Sequence, residues 1–250
     1  MEGLLPQALD TTPALLLILA SFFTAGLTAA AGVGGGLFML ALMTYALPIT
    51  ALIPVHGMVQ LGSNISRSVV QRPHIDWAIA RQYFAGSLVA SFAAVFLVVQ
   101  LPEAGLRIFL GLFIIAMVWI RFPKMTNASP VIVAAGGGAT TFLSMFVGVT
   151  GPLVAVFLNN LFAEHRKLVA THGITMVIQH ALKILVFGIA GFAYLEWIPF
   201  VAAMVTSGYL GTRAGTRLMD RIPEQALKLV FRVVLTIAAI DLLRRGLSTL

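Results

Sequence analysis

The sequence predicts an all-α polytopic membrane protein, and three observations support this fold class. Of the 250 residues, 59% are hydrophobic and only 10% are charged, whereas a typical soluble domain has about 25% charged residues. The mean hydropathy is +0.98. The apolar residues form long unbroken runs, close to the ~20 residues that a helix needs to cross a bilayer. Together these features exclude a soluble globular domain, a disordered chain and the short alternating strands of a membrane β-barrel.

The first half of the chain contains five apolar segments. Each is predicted to be a helix, because a backbone inside lipid must satisfy its own hydrogen bonds. The second segment is too short to span a bilayer easily and follows the glycine-rich break GVGGG at residues 32–36. It is either a short crossing or a re-entrant half-helix. The five segments are 13–31, 35–47, 50–70, 78–100 and 104–121.

The second half repeats this organisation. Its own second segment is again short and again follows a break, GVTGP at residues 148–152. The same two alternatives, a short crossing or a re-entrant half-helix, therefore apply. The five segments of this half are 130–147, 152–163, 168–190, 194–211 and 225–243.

The two halves form an internal repeat with an offset of 116 residues. Several matches occur in order without a gap, which indicates a duplicated unit rather than chance. They pair Gly32-Val33 with Gly148-Val149, Gly35 with Gly151, His56-Gly57 with His172-Gly173, and Arg67 with Lys183. After small insertions, Asp76-Trp77 matches Glu196-Trp197. We therefore divide the chain into an N-terminal repeat, 1–123, and a C-terminal repeat, 124–250.

The positions of basic residues predict how the repeats are oriented. Basic loops follow the third and fifth segments of the first half but the second and fourth segments of the second half. Since cytoplasmic loops of membrane proteins are enriched in Lys and Arg, this alternation favours five crossings per half and inverted repeats, a common transporter plan. Arg244 and Arg245 disagree, because they would then lie outside. If the short segments are re-entrant, each half has four crossings and the repeats are parallel.

The third segment of each half is unusually polar for a helix in lipid. His56, Gln60, Asn64 and Arg67 are spaced so that they share one helix face. Because a charge in the bilayer is costly, these two polar faces predict an anion site in the protein interior. Alternatively, Arg67 reaches the headgroups from its segment end, and the histidines only link helices. The corresponding residues of the second half are His172, Gln179, His180 and Lys183.

The glycine-rich breaks are the second candidate feature of the site. Glycine allows the backbone to turn sharply and to approach a ligand closely. A helix that begins just after such a break directs unpaired N–H groups and a positive dipole end into the membrane, which suits an anion. Close helix packing through small residues is the alternative explanation. The candidate residues are Gly34, Gly35, Gly36, Gly151 and Pro152.

These residues resemble the TauE/SafE family of sulfite exporter-like permeases. The resemblance covers nearly the whole chain and rests on the order of short motifs. These are the GVGGG break, the polar third helix, the Ile75-Asp76-Trp77 turn, and the second copy with GVTGP and Ala170-Thr171-His172. The second copy has Thr150 and Pro152 in place of two glycines. The resemblance implies a transporter in the bacterial inner membrane that moves sulfite, sulfoacetate or related organosulfonates.

The sequence thus predicts a secondary transporter that binds a small anion between the repeats during alternating access, and the resemblance implies that this anion contains sulfur. An anion channel is the alternative. An enzyme is not predicted, because no paired acids, HExxH or GxSxG with a partner base are present. No cofactor and no metal site are expected, and the net charge of +7 indicates basic loops rather than a nucleic-acid partner. The expected partners are the anion, membrane lipid and a coupled ion, with His56 or His172 as candidate proton carriers.

Overall fold

The described residues of the chain form ten α-helices. The computed structural model describes residues 5–31, 35–98, 102–120, 129–159, 161–162, 164–218 and 224–249. Within these ranges there are also two short 3-10 turns and no strand, so the predicted all-α class is confirmed. Gly34 and the predicted boundary between residues 123 and 124 lie outside the described residues. The helices are α1 Thr11–Ala31, α2 Gly35–Met43, α3 Ile49–Val70, α4 Trp77–Val98, α5 Glu103–Trp119, α6 Pro130–Val147, α7 Gly151–Asn159, α8 His165–Ile189, α9 Ile198–Leu218 and α10 Glu224–Leu247.

Two helices are short, as the glycine-rich breaks predicted. Both α2 and α7 have nine residues, and at about 1.5 Å per residue neither can cross a bilayer alone. The largest difference from the predicted bounds is in α9. Residues Leu195–Trp197 form a 3-10 turn instead of its first turn, and the helix continues to Leu218. Hydropathy does not detect this extension, because Arg213 and its neighbours lie beyond the apolar part of the helix.

Much of the described outer surface is apolar. Large hydrophobic side chains with more than half of their surface exposed include Val89, Phe92, Phe96 and Val131, which is typical of a lipid-facing surface. In the part of the chain that the structure describes, three helical spans are by length and composition sufficiently long and apolar to cross a membrane: Trp77–Leu97, Pro130–Val147 and Arg166–Ile189. These features are those of a multi-pass helical membrane protein.

The two polar helices, α3 and α8, pack against each other and run antiparallel. A β-carbon placed on Gly57, near the start of α3, would lie 3.2 Å from Cδ of Lys183, near the end of α8. At the other end of the pair, a β-carbon on Gly173 would lie 3.8 Å from Cδ of Arg67. Each glycine therefore makes room for the stem of the cation on the opposite helix.

The remaining helices pack around this pair. Helices α5 and α10 are also antiparallel, since Gly111 contacts Ala239 whereas Gly246 contacts Ala104. Helices α1 and α9 pack closely, since the Ser207 hydroxyl donates to the Ile18 carbonyl and Gly211 lies against the Phe22 carbonyl. Helix α4 packs on α6 in the corresponding position.

One end of the molecule carries a concentration of basic residues, and we call it the basic end. Helix α3 ends there, and α8 begins there. The bond from the Asp76 backbone N–H to the Thr171 hydroxyl, at 3.0 Å, ties the turn before α4 to the first part of α8. The basic end is defined by Arg72, Arg81, Arg166 and Lys167, all of which are exposed.

The close contact of α4 with α6 predicts a strong effect of one added methyl group. A β-carbon on Gly86 would overlap the carbonyl oxygen of Ala134, whereas one on Gly105 in α5 meets no atom within 4 Å. We expect Gly86→Ala to lower the free energy of unfolding by about 1–3 kcal/mol, a usual cost of overpacking. Gly105→Ala is the matched control and should be neutral or slightly stabilising. Thermal unfolding of the detergent-purified variants, followed by gel filtration, measures the difference.

Candidate functional site

A cavity between the two halves, here called the central cavity, brings together eight of the predicted site residues. It contains about 400 Å³ of empty space, part of which is open solvent. The cavity is small, so any ligand that it holds must also be small. The predicted residues that line it are Gly36, Gln60, Asn64, Arg67, Gly151, Pro152, His172 and His180.

Arg67 is the main positive charge of the central cavity. Among the described residues it has no hydrogen-bond acceptor and no carboxylate partner. His172 lies near it, across the α3–α8 contact. A guanidinium has five N–H donors in a planar fork, which match the oxygens of an oxyanion. The geometry therefore provides a half-buried cation whose donors are free for a ligand.

A second cavity adjoins the first, and we call it the side cavity. It too contains about 400 Å³ of empty space that includes open solvent. Thr28, Gly36, Gln60 and Arg67 line both cavities, so the two are lobes of one polar region. The residues of the side cavity alone include Ser21, Thr24, Gly35, Ser63 and Met204. Sequence reasoning missed the α1 hydroxyls, because isolated Ser and Thr residues are common in apolar helices.

The two matching histidines fix the positions of the short helices. The Nε2 atom of His56 lies 2.9 Å from the carbonyl oxygen of Gly36, and that of His172 lies 3.0 Å from the carbonyl oxygen of Gly151. Since a carbonyl oxygen only accepts, both Nε2 atoms carry the proton. Each histidine thereby anchors the first turn of the short helix in its own half. His56 is fully buried and does not line either cavity.

Lys183 has a different environment from its sequence counterpart, Arg67. It is fully buried, and its ammonium donates a hydrogen bond to the carbonyl oxygen of Gly148. Gly148 ends α6 with a positive φ of 77°, a backbone conformation that favours glycine. Lys183 does not line either cavity. In this conformation it therefore does not contact the space where an anion is predicted to bind.

Gln179 is also held away from the central cavity. Its Oε1 accepts from the Thr150 hydroxyl at 2.9 Å, and its Nε2 donates to the Tyr83 hydroxyl at 3.1 Å. The Tyr83 hydroxyl lies 2.8 Å from that of Thr140. Sequence reasoning missed Tyr83 and Thr140, because nothing in α4 or α6 marks a single polar residue as a partner of Gln179.

His180 completes the central cavity on the α8 side. Its ring centroid lies 6.1 Å from that of His56, with the planes at 70°. Its Nδ1 is buried without a hydrogen-bond partner. Within the described part of the chain, no group of three His, Asp or Glu side chains has the arrangement of a metal site.

Comparison with known proteins identifies the family. The family model for the sulfite exporter TauE/SafE family matches residues 17–242, which is most of the chain and includes every helix of the site. No curated protein and no solved structure matches the chain. Members of this family are membrane transporters of the sulfite or anion exporter type. On this match and on the helical fold, the chain belongs to the sulfite exporter TauE/SafE family.

Proposed function

We propose that this chain is a secondary transporter that binds a small sulfur-containing anion, such as sulfite or an organosulfonate, in the central cavity. The observation that carries the proposal is Arg67, a cation without a partner among the described residues, facing a cavity lined by both halves. A charge in a membrane protein interior is costly unless it serves a ligand or is paired. An anion in the cavity supplies the missing partner.

The other groups around the cavity complement the three oxygens of a sulfite or sulfonate. Helices α2 and α7 both begin at the cavity, with Gly36 and Pro152 in their first turns. Their N-terminal N–H groups and dipoles favour negative charge. Asn64 and Gln60 add neutral amide donors. Of the two candidate histidines, His172 lines the cavity and His56 does not, so we assign the coupled proton to His172.

We further propose that the two halves are inverted repeats that alternate around this site. The antiparallel directions of α3 and α8, and of α5 and α10, support inversion, because inversion makes equivalent helices antiparallel. In this arrangement, each of the short helices α2 and α7 forms the helical part of a discontinuous membrane-spanning segment. Arg244 and Arg245 still disagree with this orientation, although both pair with the one carboxylate of Asp241, at 2.8 and 2.7 Å.

The positive-inside rule supports placing the basic end in the cytoplasm of a bacterium, with the chain in the inner membrane. Arg67 lies three residues before the end of α3, which is at that basic end. The central and side cavities then face the cytoplasm, as expected of an exporter that is ready to load its anion.

Counterflow in liposomes tests the proposed function. Purified protein is reconstituted, vesicles are preloaded with unlabelled sulfite, sulfonates or carboxylates, and entry of radiolabelled sulfoacetate is followed. A carrier for sulfur anions should give transient accumulation with the sulfur anions but not with the carboxylates. Continuous flux without counterflow would identify the alternative, an anion channel. Empty vesicles across the whole panel, with folded protein, would remove the sulfur-anion assignment.

A further inference from the structure

The side cavity has an equivalent position in the second half of the chain, and that position is closed. The offset of 116 residues pairs the polar residues of the side cavity with those at the equivalent position in the second half. The pairs are Thr24 with Thr140, Thr28 with Ser144, Ser63 with Gln179, and Arg67 with Lys183. The first members line the side cavity. Of the second members, Ser144, Gln179 and Lys183 are all fully buried.

A chain of hydrogen bonds closes the equivalent position in the second half. It runs from Thr150 through Gln179 and Tyr83 to Thr140, with distances of 2.9, 3.1 and 2.8 Å. The chain joins α4, α6 and α8 to the residue directly before α7. Tyr83 has no exposed surface, so its hydroxyl makes these bonds out of reach of solvent.

Among the described residues of the first half there is no such closure, because an apolar residue, Met204, occupies the position that corresponds to Tyr83. The Met204 carbonyl accepts from Ser21 on α1 at 2.8 Å. Gly137 is the counterpart of Ser21, because the two are 116 residues apart. A β-carbon placed on Gly137 would lie 2.5 Å from the Tyr83 carbonyl. Met204 and Tyr83 are therefore equivalent in the two helix contacts. A methionine cannot join a network of hydroxyl and amide hydrogen bonds.

We propose that the second half contains a closed anion site whose cation is Lys183, and that Tyr83, Gln179, Thr150 and Thr140 form the latch that keeps it closed. The ligand is the same small sulfur oxyanion that Arg67 receives, so this inference rests on the proposed function. When the latch opens, Lys183 exchanges the Gly148 carbonyl for the anion.

The two sites face opposite ends of the molecule, as transport requires. Arg67 lies beside Gly173 toward the basic end, and Lys183 lies beside Gly57 toward the other end. Only the Arg67 side is open here. An anion that passes from Arg67 to Lys183 thus moves from the basic end of α3 to the level of Gly57. The first cavity closes and the latch opens during this step.

Thiol labelling tests the latch without any substrate, because the chain contains no cysteine. Thr28→Cys and Ser144→Cys place matched single thiols in the open and the closed position. We expect a membrane-impermeant maleimide to label Thr28→Cys from the basic end, and to label Ser144→Cys slowly from either side. Adding Tyr83→Phe should raise labelling of Ser144→Cys from the opposite end about tenfold, which corresponds to about 1.4 kcal/mol of lost hydrogen bonding.

Ser91→Ala is the matched control. It removes the 2.7 Å bond from the Ser91 hydroxyl to the Ser87 carbonyl, which lies in α4 but involves no latch residue, and should leave the labelling of Ser144→Cys unchanged. Thr150→Val is a second latch variant that should act like Tyr83→Phe. The proposal is overturned if Ser144→Cys labels as fast as Thr28→Cys in the intact latch, if neither latch variant speeds labelling, or if the control speeds it equally.

Transport assays separate this inference from the proposed function. If counterflow of sulfur anions fails but the labelling pattern is as expected, the substrate assignment is wrong and the latch stands. If counterflow succeeds and the latch variants leave the labelling of Ser144→Cys unchanged, the transporter stands and the latch is wrong.

Discussion

Arg67→Ala is expected to reduce counterflow of sulfur anions by about 30-fold or more. Removing one partner of a buried, hydrogen-bonded charge pair typically costs at least ~2 kcal/mol of binding, and among the described residues no other arginine lines the central cavity. Arg67→Lys keeps the charge but loses the planar fork, so it should retain part of the activity. Initial rates in liposomes, normalised to reconstituted protein, measure both effects.

Arg81→Ala is the control for this prediction. Arg81 is an exposed cation at the basic end, so its loss removes the same charge without touching the cavity. Transport by Arg81→Ala should stay within about twofold of the unmodified protein, since exposed charges are largely screened. Full transport by Arg67→Ala, or an equal loss in both variants, would show that Arg67 does not hold the anion.

Lys183→Met should separate transport from stability. Lys183 is fully buried, and among the described residues its ammonium has one acceptor, the Gly148 carbonyl, and no carboxylate. Methionine has a similar length without the charge. The lost hydrogen bond is offset by relief of the costly buried charge. The unfolding temperature should therefore change little, while counterflow falls by about tenfold or more because the closed anion site loses its cation.

Lys167→Met controls for loss of a lysine on the same helix. Lys167 is exposed in the first turn of α8, and its replacement should leave both transport and unfolding temperature nearly unchanged. A large drop in unfolding temperature for Lys183→Met, with transport per folded molecule intact, would mean that Lys183 only supports the α6–α8 packing.

Hydropathy predicted most of the helices, because crossing a bilayer requires a long apolar run. The starts of α2 and α7 at Gly35 and Gly151 followed from the glycine-rich breaks, where the backbone changes direction. The extension of α9 to Leu218 was not predictable, since a helix outside the bilayer carries no apolar signature. The polar faces of α3 and α8 predicted that these helices pair. Their antiparallel direction became known only from the contacts of Gly57 and Gly173 in the structure.

The predicted residues that line the cavity are those whose side chains share a helix face with it. Gln179 was also predicted, but its side chain lies on a different face of α8. Gln179 directly precedes His180, so the two side chains point about 100° apart on α8. The equivalent of Asn64 is His180, which lines the cavity, while the equivalent of Ser63 is Gln179, which turns toward Tyr83. Since Tyr83 is a single polar residue in an apolar helix, only the three-dimensional packing reveals its role.

Equilibrium binding of radiolabelled sulfite to the purified protein tests the central claim most directly. The central cavity predicts saturable binding with one anion per chain, competition by sulfonates, and loss of binding in Arg67→Ala but not in Arg81→Ala. Sulfite bound by Arg67→Ala with unchanged affinity and stoichiometry would contradict an anion site built on Arg67 between the two halves.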